Sequence, residues 1–66
     1  MTLTEANTLF GYKHLPPHLQ EVSEPFYIVA ESLFTTIPDA QGAYRTKALN
    51  DLWQAKNWAV AAVAQR

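Results

Sequence analysis

Tyr12 and Lys13 stand side by side behind Gly11, in a segment with no sustained apolar period. A tyrosine ring stacks on a nucleobase, and a lysine ammonium pairs with a phosphate oxygen. Such a pair outside any core stripe therefore has the chemistry of a nucleotide contact. The alternative is a tyrosine that anchors the N-terminal arm on the rest of the chain. His14 and His18 are four apart, the spacing of two metal ligands on one helix face. Pro16 and Pro17 lie between them and argue against a regular helix through both. With no cysteine and no third histidine to complete a site, surface or capping histidines are expected and no metal. Ser23 and Ser32 have no activating histidine in sequence context, and Glu21 and Glu24 read as a solvated helix face rather than an acid–base pair. Two glycines are too few for a phosphate-cradling loop. The expectation is a protein that binds without catalysis and without a cofactor.

Helices must position these residues. Pro16 and Pro17 suit a first helical turn, where the missing N–H groups cost little. Leu19, Val22, Phe26, Val29, Leu33 and Ile37 then recur at helical spacing. This stripe predicts a first helix over 16–37, kinked near Pro25, or else two helices with Ser23 capping the second. Pro38 and Asp39 open a turn over 38–42. A second helix is predicted over 43–65, with Ala48, Leu52, Ala55, Ala59 and Ala62 as one narrow stripe and Leu49, Trp53, Val60 and Val63 as another. Phe26, Phe34 and Tyr44 are expected to pack, and at least one of Trp53 and Trp58 to lie between chains. Residues 1–15 read as an irregular arm, with a short helical turn near Thr4–Leu9 as an option. The expected fold is all-α: an arm and an antiparallel two-helix hairpin in a single domain.

The chain has 66 residues, of which 48% are hydrophobic and 17% charged. Below roughly 70–80 residues one core supplies only about 3–5 kcal/mol, so so apolar a chain points to self-association. The second helix, apolar on more than one side, asks for more neighbours than a hairpin offers. A net charge of −1 lacks the basic excess of a protein that grips long nucleic acid, so DNA binding is not expected. No apolar run reaches membrane-spanning length, and Met1–Glu5 has neither the basic region nor the apolar run of a leader. A soluble cytoplasmic setting is expected. Residues 1–42 carry Lys13 against Glu5, Glu21, Glu24, Glu31 and Asp39, whereas 43–66 carry Arg45, Lys47, Lys56 and Arg66 against Asp51. Opposite charge on the two helices favours their pairing modestly.

The string Phe10-Gly11-Tyr12-Lys13-His14-Leu15 resembles the N-terminal motif of a family of small bacteriophage proteins: glycine, tyrosine, a basic residue, any residue, leucine. These are the anti-CBASS and anti-Thoeris proteins of the Acb/Tad type, helical hairpins that sponge host immune signals. Ala62-Val63-Ala64-Gln65 resembles the close of that hairpin. The resemblance implies sequestration of cyclic nucleotide messengers, either cyclic di- or trinucleotides or cyclic ADP-ribose isomers, held intact so that the host effector is never activated. It also implies a homo-oligomer, commonly a hexamer, with pockets between protomers, acting in the infected bacterial cytoplasm. On this carry-over Tyr12 stacks a base and Lys13 fills the basic position. Ala61 stands where the family commonly has an arginine, so Arg45, Lys47 and Lys56 are the basic residues left to meet ligand phosphates, with Trp53 as a further stacking surface. The competing class is a small phage protein–protein interaction module with no nucleotide ligand.

Overall fold

The structure, a computed structural model, describes residues 1–65 and is all-helical; Arg66, counted above among the charges of the second helix, lies outside the described residues. Three α-helices follow one another: α1 (Leu3–Leu9), α2 (Pro17–Thr36) and α3 (Gly42–Ala64), with a 3-10 turn at Asp39–Gln41. The two long helices pack along each other, and α1 lies against α2.

The arm contains a true helix. Its N-cap is Thr2, not Thr4: the Glu5 amide donates to Thr2 Oγ1 at 3.1 Å and the Thr2 amide donates to Glu5 Oε1 at 3.3 Å, a capping box. Seven residues are too few to hold a helix alone in water, so tertiary contacts must stabilise it. Ala6 and Phe10 supply them, buried with Ala30 of α2 and Leu49 of α3. Both ends of α1 are also tied to α3. The Met1 amine donates to Thr46 Oγ1 at 3.0 Å, and Lys56 Nζ donates to the Leu9 carbonyl at 2.7 Å.

The expected kink at Pro25 is absent: α2 is one helix through it, and Ser23 is an interior residue rather than a cap. Pro25 removes the amide that would meet the Glu21 carbonyl. Both residues face solvent, where water can take that carbonyl, while Ser23, Phe26 and Ala30 hold the inner face on either side.

Of the two apolar stripes expected on α3, the one through Leu49, Trp53, Val60 and Val63 faces inward, and the alanine stripe is largely outside. Arg45 and Leu49 are buried, and Leu52, Trp53, Lys56, Val60 and Val63 are half-buried, whereas Ala48, Ala55 and Ala62 are exposed. Leu49, Leu52, Trp53, Val60 and Val63 remove more apolar area from water than Ala48, Ala55 and Ala62 would. Tyr44, expected to pack, is 74% exposed, and Trp58 is 76% exposed. They share the outer side of α3 with those alanines. No helix among the described residues is long and apolar enough to cross a membrane.

Candidate functional site

Gly11 lets the chain leave α1. A Cβ there would stand 3.1 Å from the Asn7 carbonyl oxygen, tighter than ordinary packing, so hydrogen at this position keeps the exit unstrained. The next four residues form a turn closed by the Leu15 amide donating to the Tyr12 carbonyl at 3.0 Å. Gln20, in the first turns of α2, then fastens that loop: its Nε2 donates to the Leu15 carbonyl at 2.7 Å and to the Lys13 carbonyl at 3.3 Å. The loop is therefore held from both sides, by the buried Phe10 before it and by Gln20 after it.

This loop and α2 enclose an open cleft of about 490 Å³, lined by Gly11, Tyr12, Lys13, His14 and Tyr27. The Tyr12 and Tyr27 rings meet edge to face, with centroids 5.5 Å apart and planes at 70°. The Tyr27 hydroxyl donates to Glu31 Oε1 at 3.0 Å. That bond, with partial burial and the Glu31 charge, pushes the Tyr27 pKa above its ordinary value. Burial, and then the charge and hydrogen bond of Glu24, push Tyr12 up as well. Both phenols are neutral donors at physiological pH.

Gln20, Glu24, Tyr27 and Glu31 follow one another at spacings of four, three and four, which places them on one face of α2 beneath the loop. Sequence reasoning missed Tyr27; Glu24, read as part of a solvated helix face, is exposed. The polar 4-3-4 stripe was the signal available, running beside the apolar one.

Of the residues anticipated for ligand contact, the structure brings Tyr12 and Lys13 together in this cleft. It places the others elsewhere. Arg45 is buried under the α2–α3 connection, where its Nη1 donates to the Ile37 carbonyl at 3.0 Å and to Asp39 Oδ1 at 3.1 Å. Its guanidinium sits 4.5 Å from the centroid of the Phe34 ring. Lys56 is committed to the end of α1, and burial lowers its pKa. Trp53 packs against the core, and Lys47 is exposed on α3. His14 lines the cleft while His18 is exposed at the start of α2.

The cleft thus offers Lys13 and His14 from the loop beside the Tyr12 and Tyr27 rings, and Glu31 accepts the Tyr27 hydroxyl on α2. Such a site can stack a planar ring and hold an anionic group toward the loop. No protein-family model, curated protein or solved structure matches the chain.

Proposed function

We propose that this chain is a bacteriophage sponge that binds host cyclic nucleotide second messengers and holds them intact, away from their effectors. The observation that carries this reading is the convergence of Tyr12 and Lys13, the tyrosine and basic residue of the Gly-Tyr-basic motif, in one cleft with a second tyrosine, Tyr27. A cyclic di- or trinucleotide or a cyclic ADP-ribose isomer presents a base to stack and phosphates to pair, which matches the two side chains.

Self-association belongs to the same reading. Among the described residues the fully buried apolar side chains are Ala6, Phe10, Ala30 and Leu49, two of them alanines. That core is small for a free-standing fold. The hairpin of α2 and α3 keeps Tyr44 and Trp58 on its outer side, and a homo-oligomer, a hexamer by the family resemblance, would cover them and bring several clefts to shared seams. Action in the cytoplasm of an infected bacterium completes the proposal. The same exposed aromatics favour a second reading, a helical module that docks on another protein without a nucleotide.

A thermal-shift screen separates the two. Purified protein is heated with cyclic dinucleotides, cyclic trinucleotides and cyclic ADP-ribose isomers in turn. A ligand at a hundredfold its Kd adds about 2.7 kcal/mol to stability. A rise in Tm with at least one of them, and recovery of that molecule unchanged after denaturation, is the sponge outcome. No rise with any nucleotide leaves the interaction module.

A further inference from the structure

We propose that the outer side of α3 is a self-recognition surface, on which a second copy of this chain lays its own α3 antiparallel about a two-fold axis; this rests on the self-association stated above and not on the nucleotide. Tyr44, Ala48, Asp51, Ala55, Trp58 and Ala62 recur at spacings of four, three, four, three and four, and all six are exposed. That is the seam spacing of two helices packed along each other. The inward face of α3 runs separately through Leu49, Trp53, Val60 and Val63, so the helix carries two seams and α2 packs on one of them. Tyr44 at 74% and Trp58 at 76% are the most exposed large apolar side chains among the described residues.

The order of sizes along the outer seam selects both the occupant and its direction. Laid antiparallel with Trp53 at the level of the axis, Tyr44 faces Ala62 of the second copy, Ala48 faces Trp58, and Asp51 faces Ala55. Every large or charged side chain then meets an alanine, the alternation that lets facing layers interdigitate. Two-fold symmetry repeats each of these layers, so one surface is complementary to itself. Asp51 also lies beside Gln54 of the second copy, whose amide is a donor for the carboxylate. A parallel pair would set Trp58 on Trp58 and oppose two Asp51 charges at the seam. An antiparallel pair shifted by one heptad carries Tyr44 or Trp58 past the end of the facing helix. Aromatic side chains bury about 150–250 Å² each, so four such rings, three-quarters exposed, supply on the order of 600 Å². The alanines and the stems of Lys47 and Gln54 extend this toward the roughly 1,000 Å² that a specific interface needs.

The test is sedimentation equilibrium of the full chain as wild type, Trp58→Ala, Ala48→Trp, and the double variant that carries both substitutions. Both positions face solvent in the protomer, and circular dichroism confirms that each variant is helical. Wild type should show a mass above that of one 7.4 kDa chain. Trp58→Ala empties the layer and Ala48→Trp crowds two indoles into it, so each should weaken association at least about tenfold. The double variant exchanges the two sizes within one layer and should return to within about threefold of wild type. Weakening in both single variants with no recovery in the double overturns the antiparallel register. Association left unchanged by either single variant overturns this layer as the seam. A wild type of one-chain mass at every concentration overturns self-recognition and leaves the rings to a different protein. The nucleotide reading is judged separately by the thermal-shift screen, so either can fail while the other stands.

Discussion

The rings of Tyr12 and Tyr27 meet edge to face at a centroid separation of 5.5 Å, and this contact joins the N-terminal loop to α2. Edge-to-face aromatic pairs have favourable electrostatics, and this one orients Tyr12 while leaving its ring half-buried at the mouth of the cleft. Loop and helix are thus fastened twice at one place, by the ring pair and by the Gln20 amide on the loop carbonyls.

From this pairing, Tyr12→Ala should lose about 5- to 150-fold in nucleotide affinity, the usual range for removing a base-stacking ring. Tyr12→Phe keeps the ring and should stay within about threefold of wild type. Helical content should be unchanged in both, because the interior contacts of α1 run through Ala6 and Phe10. Titration calorimetry and far-ultraviolet circular dichroism measure the two quantities. Equal affinity of Tyr12→Ala for every nucleotide would remove Tyr12 from the site.

Arg45 should matter to stability and not to ligand. Its guanidinium ties the Ile37 carbonyl and Asp39 to α3 and covers Phe34. Arg45→Ala removes a charge-assisted hydrogen bond and a cation–π contact in a largely desolvated position, so a loss of about 2–3 kcal/mol is expected. Asp39→Asn should cost far less, because the Asp39 side chain is 96% exposed and water replaces its contact. Urea titrations of the two variants check the order. A larger loss for Asp39→Asn would mean that the ion pair, rather than the carbonyl and ring, holds the connection.

Much of this architecture was legible in the chain, and the failures have physical causes. The apolar spacing from Leu19 to Ile37 and the Pro38–Asp39 break located two long helices and their connection to within a residue or two. The helix α1 left too short a period to read, although Thr2-x-x-Glu5 carried its capping box. Periodicity on α3 offered two apolar sides, and one helix alone does not reveal which meets a neighbour; Leu49, Trp53 and Val60 face α2 while Tyr44 and Trp58 stay outside. Arg45 and Lys56 were assigned to ligand phosphates because a sequence does not show that a carbonyl waits at the far end of the stem. Tyr12 and Lys13 were legible since no core stripe claimed them, whereas Tyr27 was hidden inside a helix whose apolar face drew attention.

Ser23 lies on the inner face of α2, fully buried, and its hydroxyl has no hydrogen-bond partner. A buried polar group without a partner costs free energy that an apolar replacement of similar size recovers. Ser23→Ala should therefore stabilise the fold by about 1 kcal/mol, aided by the higher helix propensity of alanine. The midpoint of urea unfolding should rise with an unchanged slope. A fall would show that the hydroxyl is satisfied in solution.

Lys56 gives the fold a dependence on alkaline pH. Burial sets its folded pKa below the ordinary 10.5 of the unfolded chain. Between those two values the unfolded chain binds more protons than the folded one, so stability contributed by this group rises with pH through that window. Lys56→Met deletes the rise together with the bond to the Leu9 carbonyl. At neutral pH the variant should lose about 1 kcal/mol, because the lost bond outweighs the relief of a partly buried charge. The difference between wild type and variant should widen as pH climbs toward 10.5. Tyr12 and Tyr27 act in the opposite sense, their raised values making folding less favourable as pH rises through 10.0 and beyond, so the wild-type-minus-variant difference is the quantity to read. Amide exchange should quicken in α1 first. A pH-independent difference would place Lys56 in solvent.

Assembly has its own reporter in Trp58. Tyr44, Ala48, Ala55, Trp58 and Ala62 are exposed together on the outer side of α3, and the small alanines let another helix approach while the two rings offer area to bury. An indole in water emits at longer wavelength than one packed between helices. In a Trp53→Phe background Trp58 is the sole indole, and its emission should shift to the blue as protein concentration is raised through the micromolar range. Light scattering should report a mass above that of one 7.4 kDa chain over the same range. Trp58→Glu sets a charge on the surface to be buried, at a cost of several kcal/mol to association. It should hold the protein at monomer mass even at high concentration, with circular dichroism still helical if α1 and the inner face of α3 suffice to hold the protomer. Blue-shifted emission and a mass of one chain at every concentration would mean instead that Trp58 folds back on its own protomer and that this face joins no second copy.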